Sequence, residues 1–302
     1  TLSSFSQLRQ CSKGYNGLAC GLCSEGYTKN NDFICSECLP IGFNVVVYFV
    51  LFPVSVTFVY WLVSSASKSS TSVVADGIKG GELGAIAKVT LNYLQGLFYL
   101  GQLSANWSDV AKKMFDISGQ ASMTLNFLSF DCDMKMDYYS RLVLVFFLPL
   151  LVCCVIALIY IITHFIRKKT AKQSFDDFQL TTMIVLSLIH PYLFQESISI
   201  FKCDKVVDKL YLVADYSVSC EDDKYTQYVV VVILFLLFYI FGAMGALLYR
   251  GLYHNAKSKK LFQTGHSSNV KYSFFTQGYK ENTYFWEGVV MGRKMAIVLF
   301  VV

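Results

Sequence analysis

Apolar and polar positions along this chain occur in long blocks rather than in short alternations. After residue 40, apolar stretches are separated by polar segments that contain most of the charged residues. Because an α-helix needs roughly 20 apolar residues to cross the hydrocarbon core of a bilayer, this pattern predicts about six membrane-spanning helices. The predicted spans are residues 43–63, 83–103, 142–166, 178–201, 228–249 and 284–302, the last of them truncated.

The six predicted spans differ in polarity. The first, third and fifth are dense in Val, Ile, Leu and Phe, whereas the second carries Gln95 and Gln102 and the fourth carries His190 and Glu196. Polar side chains within a span usually face other helices or a water-filled cavity. The predicted fold class is therefore an all-α transmembrane helical bundle, with the second and fourth spans in its interior.

Composition agrees with a membrane protein. Hydrophobic residues make up 54% of the chain and charged residues 16%, whereas about 25% of residues are charged in a typical soluble domain. The net charge of +5 requires no nucleic-acid partner, because positively charged cytoplasmic loops account for it. Two domains are predicted: an extracellular module at residues 1–40, and a transmembrane domain at 41–302 that is expected to continue beyond residue 302.

The predicted module is rich in cysteine. It contains Cys11, Cys20, Cys23, Cys35 and Cys38. The two C-x2-C pairs also have zinc-ribbon spacing, but the fifth cysteine and the Gly-Tyr pairs between cysteines favour disulfides. Neither a metal site nor a cofactor is therefore predicted. Because five is an odd number, one disulfide partner is expected upstream of the first residue.

The loops predict an orientation with the module outside the cell. The three loops that would then be cytoplasmic contain twelve Lys or Arg residues, against seven in the two outer loops, 104–140 and 202–227. Cys132, Cys203 and Cys220 all fall in these outer loops, as expected for an oxidising compartment. A Cys203–Cys220 disulfide is slightly favoured, and pairing of Cys132 with either of them is the alternative.

One N-glycosylation sequon begins at Asn106 in the first outer loop. It lies only a few residues from the preceding span, so an unmodified turn at the membrane interface is an equal alternative.

His190 and Glu196 form the most suggestive group within a predicted span. Pro191, between them, predicts a kink, and a kink lined by His and Glu could form part of an ion path. The simpler alternative is that both residues hydrogen-bond to neighbouring helices. The same two alternatives apply to Gln95 and Gln102, which share one helix face.

Three charged residues mark the start of the last span. Arg293 and Lys294 are expected to anchor this helix at the inner membrane interface, and Glu287 could form an ion pair with them that couples the helix to the preceding loop.

Sequence motifs indicate a family resemblance. The spacing C-x3-Y-x-G-x2-C-x2-C-x2-G-Y resembles EGF-like or laminin-like repeats. Further along, L-Q-x3-Y-L-G-Q-L-S-x2-W from Leu94, His190-Pro191, the pair Cys203 and Cys220, and Y-F-W-E from Tyr284 resemble large multi-pass surface proteins of protists. In that family EGF-like repeats precede a transmembrane domain described as TRP-channel-like. The resemblance implies a repeat ectodomain upstream and further spans downstream.

Three functions follow as hypotheses. The first is a multi-pass cell-surface protein that anchors an EGF-like extracellular region in an adhesion or surface-structure role. The alternatives are a TRP-like cation channel subunit and a transmembrane signalling receptor. No enzyme motif is found, so no catalytic residues are predicted. Expected partners are the lipid bilayer, extracellular proteins or glycans and a second copy of the chain, at the plasma membrane or a ciliary surface membrane.

Overall fold

The structure, a computed structural model, is mostly helical after a small disulfide-bonded segment, which confirms this part of the predicted fold. The described residues are 11–17, 20–29, 35–38, 41–71, 81–103, 107–121, 136–167, 171–206, 208–263 and 267–301.

The amino-terminal module consists of two short antiparallel hairpins. β1 (Tyr15–Asn16) pairs with β2 (Leu22–Cys23), and β3 (Tyr27–Lys29) pairs with β4 (Cys35–Glu37). Strands this short bury little surface, and covalent links supply what a core would otherwise provide. The structure links Cys11 to Cys20 and Cys23 to Cys35, and Cys38 is disulfide-bonded as well.

Long helices make up most of the remaining chain. The helices that precede the second β-sheet are α1 (Ile41–Thr71), α2 (Gly81–Gly101), α3 (Asp109–Ala121), α4 (Tyr138–Arg167) and α5 (Ala171–Ser199). Those that follow it are α6 (Asp223–Lys257), α7 (Ser267–Thr276) and α8 (Trp286–Val301).

Helix α5 is central to the bundle. It contacts α1, α4, α6, α7 and α8, and its Leu180, Ile184 and Leu193 are completely buried. This placement explains why its sequence lacks an uninterrupted apolar run. Apart from Lys172 in its first turn, its described polar side chains are buried or half-buried, as expected for an interior helix.

A three-stranded antiparallel sheet caps one end of the bundle. It comprises β5 (Cys203–Val206), β6 (Lys209–Leu212) and β7 (Asp215–Ser219), in that order. Leu212 and Val218 of the sheet pack into a buried cluster with residues from the start of α4, the end of α5 and the start of α6. We call this end of the bundle the sheet end.

The structure corrects three features of the predicted fold. An all-α architecture was expected after residue 40, but the predicted outer loop 202–227 folds largely into the sheet. Helix α6 is longer than the predicted span 228–249, because it continues to Lys257 through two π-helical segments, Leu236–Ala243 and Leu247–His254. The predicted outer loop 104–140 also contains α3.

Fewer of the described helices are long and apolar enough to cross a membrane than the six predicted spans would require. Among the described residues, two helices are long and apolar enough to cross a membrane: Tyr138–Thr163, within α4, and Asp223–Lys257. Pro53–Ala66 in α1 is a shorter apolar helix. The other predicted spans do not reach this standard because polar residues lower the hydropathy of α2 and α5, and α8 has only 16 described residues.

Candidate functional site

Lys88, which projects from α2, organises a buried polar cluster. Its side chain is only 2% exposed, and its ammonium group donates to the backbone oxygens of Phe274 (3.0 Å) and Gln277 (2.9 Å). The same Nζ lies 3.2 Å from Oε2 of Glu287 on α8 and 4.3 Å from the ring centre of Tyr279. A buried charge is tolerated only when it is paired and hydrogen-bonded, and Lys88 satisfies both conditions.

Glu287 is the acceptor at the centre of this cluster. Its Oε1 accepts from Nδ2 of Asn92 at 3.1 Å, and its Oε2 accepts from the hydroxyl of Tyr279 at 3.1 Å. Burial and the neighbouring carboxylate raise the pKa of Tyr279, so the phenol keeps the proton that it donates. Both carboxylate oxygens are thus engaged, with Lys88 as their cationic partner.

Lys294, about two turns further along α8, is a second buried cation. Its residue exposure is 4%, and its Nζ donates to Oδ1 of Asn92 and Oε1 of Gln95, each at 2.6 Å. Gln95 in turn donates to the backbone oxygen of Leu188 on α5 at 3.1 Å. The network therefore joins α2, α5 and α8 with the segment around Gln277.

The cluster lines a cavity of about 10 Å³, which is enough for one water-sized particle. Lys88, Asn92, Ser187, Glu287 and Lys294 contribute its polar lining, and the remaining lining is apolar. We call this space the lysine cavity.

The intramembrane candidates from the sequence occupy separate places. His190 is 1% exposed, and neither ring nitrogen has a hydrogen-bond partner in the described part of the chain. Glu196 lies nearer the sheet end, where its Oε2 is 3.7 Å from Nη2 of Arg141 on α4. Gln102 accepts from Nε2 of Gln195 at 2.7 Å, while Gln95 belongs to the Lys294 network. All three of these polar contacts join neighbouring helices.

The expected roles of the charges on α8 require correction. Glu287 and Lys294 were expected at the membrane interface, but both are buried inside the bundle, and only Arg293 is exposed. Glu287 forms its ion pair with Lys88 rather than with Arg293 or Lys294. Helical spacing explains which of the three charges are buried. Glu287 and Lys294 are seven residues apart and share the inward face of α8, whereas Arg293 faces away.

Sequence reasoning missed Lys88 as a site residue. The available signal was the spacing of Lys88, Asn92 and Gln95, which places one lysine and two amides on the same face of α2. A lysine within an apolar helix and a glutamate at the start of a later one could have suggested a pair.

At the sheet end, the module contacts the sheet. β2 packs against β7, and a Cβ atom added to Gly21 would lie 2.6 Å from Cδ2 of Tyr216. The contact therefore depends on the absence of a side chain at residue 21. The sheet itself contains the Cys203–Cys220 disulfide, the pairing slightly favoured from the sequence. The predictions for Asn106 and Cys132 concern residues outside the described ranges.

No protein family, curated protein or solved structure matches this chain.

Proposed function

We propose that this chain is part of a multi-pass cell-surface membrane protein, whose helical bundle anchors an EGF-like extracellular module in an adhesion or surface-structure role. The observation that carries the proposal is the packing of β2 on β7. Two disulfide-bonded regions that are far apart in sequence meet at one end of the bundle, as expected if that end lies in an oxidising compartment.

Exposed apolar helix faces support the membrane part of the proposal. Leu150, Leu158 and Phe165 of α4 and Phe238 of α6 are largely exposed, although a soluble protein would bury such a continuous apolar surface. In this proposal α4 and α6 face lipid, and α1, α2, α5 and α8 complete about six spans. Their buried charges are compatible with a bilayer because the bundle interior, not lipid, surrounds them.

Charge at the opposite end supports the orientation. Arg250, Lys257, Lys259 and Lys260 lie at or just after the end of α6, away from the sheet. Cytoplasmic flanks of membrane spans carry an excess of Lys and Arg. The sheet end is therefore the extracellular end, at the plasma membrane or a ciliary surface membrane.

The experiment is thiol labelling of the full chain in intact cells with a membrane-impermeant maleimide. Ser217→Cys introduces an exposed thiol in the sheet, and Ser258→Cys introduces one after α6. We expect labelling of Ser217→Cys in intact cells, and of Ser258→Cys only after permeabilisation. The reverse pattern contradicts the orientation, and labelling of both in intact cells contradicts a spanning bundle.

The buried cluster favours anchoring over cation conduction. It contains two ammonium groups and one carboxylate, so its charge would repel a permeating cation. Whole-cell recording tests this directly: we expect no new cation current from the full chain. A current that Glu196→Gln alters would favour the channel hypothesis instead.

A further inference from the structure

The lysine cavity has an imbalance of charge. Lys88 and Lys294 contribute two positive charges, and Glu287 contributes one negative charge. Both oxygens of Glu287 are already engaged by Lys88, Asn92 and Tyr279. No described carboxylate lies within ion-pair distance of Lys294. A buried charge without a directly paired counter-charge is strongly unfavourable, so an anion bound beside Lys294 would stabilise it.

Lys294 also has unused hydrogen-bonding capacity. An ammonium group carries three N–H donors, and two of them point to the amide oxygens of Asn92 and Gln95. The described residues provide no recorded acceptor for the third. The amide nitrogens of Asn92 and Gln95 donate to Glu287 and to the backbone oxygen of Leu188, which fixes both amide oxygens toward Lys294. The side chains that accept hydrogen bonds from Lys294 therefore offer dipoles but no negative charge.

The size and lining of the cavity limit what can fill it. At about 10 Å³ it accommodates one particle of roughly the size of a water molecule, which excludes carboxylates, phosphate and sulfate. Leu91 and Met291 supply apolar walls, so an occupant loses most of its hydration. A cation is excluded as well, because the two ammonium groups that line the cavity would repel it.

We propose that the lysine cavity is a binding site for a single small monovalent anion, a halide such as chloride, held by the ammonium group of Lys294. The halide accepts the third N–H of Lys294 and brings the net charge of the cluster to zero. Because the cluster joins α2, α5 and α8, the bound anion stabilises the packing of these three helices. The site is independent of the anchoring role proposed above.

The test uses the purified full chain in lipid nanodiscs, in sodium gluconate buffer free of halide. Chloride is added while sodium gluconate is lowered to hold ionic strength constant, and both the midpoint of thermal unfolding and the binding of radiolabelled chloride are measured. We expect a saturable rise in the midpoint and one chloride bound per chain. Bromide should compete with chloride, and sulfate should not.

Two variants locate the site. Lys294→Met removes the charge, and Ser187→Val fills the cavity while keeping all three charges. We expect each to weaken chloride binding by about tenfold or more. Lys112→Met, which removes an exposed lysine from α3, is the matched control and should bind chloride like the parent chain. Ser187→Val keeps the test informative if Lys294→Met does not fold.

Three results would overturn the proposal. The first is absence of chloride binding by the parent chain, which would mean that the cavity holds water alone. The second is chloride binding that Ser187→Val leaves unchanged, which would place the anion elsewhere. The third is equal stabilisation by chloride and sulfate, which would indicate a general salt effect.

Discussion

The sheet end and the buried lysine cluster hold the molecule together in different ways. At the sheet end, the three disulfides whose two cysteines both lie in the described ranges join residues only 9, 12 or 17 positions apart. In the cluster, the hydrogen bonds that Lys88 and Lys294 donate join residues 186 to 202 positions apart. Local covalent links can form before the rest of the fold, whereas the cluster requires that the helices have already assembled. Changes at the sheet end should therefore act locally, and changes in the cluster should act on the whole bundle.

The largest effect is expected from Glu287→Ala. This substitution leaves the buried Lys88 ammonium without its counter-charge, and removal of one partner from a buried ion pair typically costs about 3–5 kcal/mol. We expect a large drop in the thermal unfolding midpoint of the purified chain, together with increased hydrogen exchange in α2, α5 and α8.

The matched control is Glu281→Ala, which removes an exposed acidic residue from the same segment. It should leave the midpoint close to that of the parent chain. Equal effects of the two substitutions would show that the buried pair does not organise the bundle.

The second effect concerns the covalent link in the sheet. Replacing Cys203 and Cys220 together with serine removes a loop closure worth about 3 kcal/mol in the chain-entropy model. Hydrogen exchange should increase in β5, β6 and β7 while α2 and α8 remain protected. Cys154→Ser, at a free cysteine on α4, serves as the control. Loss of protection throughout the bundle would contradict the contrast between local and global effects.

The third prediction concerns the contact between the module and the sheet. Gly21→Ala places a methyl group where the ring of Tyr216 lies, and overpacking of this kind costs about 1–3 kcal/mol. We expect faster proteolysis of the module with the bundle unaffected. Adding Tyr216→Ala should restore the space and part of the protection. If Gly21→Ala changes nothing, the module does not depend on this contact.

The smallest effect is expected from the exposed pair Lys13–Glu37, whose Nζ and Oε1 atoms are 3.2 Å apart. Hydrogen bonds from Tyr27 and then from Lys13 lower the pKa of Glu37. A lowered carboxylate pKa contributes stability above the usual carboxyl pKa, and this contribution is lost as the pH falls through the folded-state value. Solvent screens an exposed pair, so the contribution is slight.

Glu37→Gln should accordingly flatten the acid limb of the module's pH–stability curve, as followed by proteolysis. It should change little at neutral pH or in the bundle. If Glu37→Gln destabilised the chain as much as Glu287→Ala does, the conclusion that the sheet end acts locally and the cluster globally would be wrong.

The sequence predicted features that depend on local pattern. The apolar runs around residues 142–166 and 228–249 do lie in long helices, and the polar residues of α5 correctly placed it inside the bundle. Close cysteine spacing led to the Cys203–Cys220 pairing. Each of these inferences needed only neighbouring residues, which is why periodicity and composition were sufficient.

Features that depend on distant partners were missed. The sheet was read as a loop because its strands are only four or five residues long and contain charged residues. Lys294 was assigned to the membrane interface because an isolated helix offers no reason to bury a lysine. Asn92 and Gln95 contact Lys294 only once the helices have assembled, and no local sequence pattern predicts these contacts.

The distance along the chain between the members of the lysine cluster has a consequence for biosynthesis. Asn92 and Glu287 are 195 residues apart, so ribosomes that add about 5–20 residues per second need roughly 10–40 s between them. Throughout that interval Lys88 has left the ribosome without its carboxylate. The Lys88 side chain of nascent α2 therefore has to stay hydrated or chaperoned, and the final packing of α2 in the bundle has to await the emergence of α8.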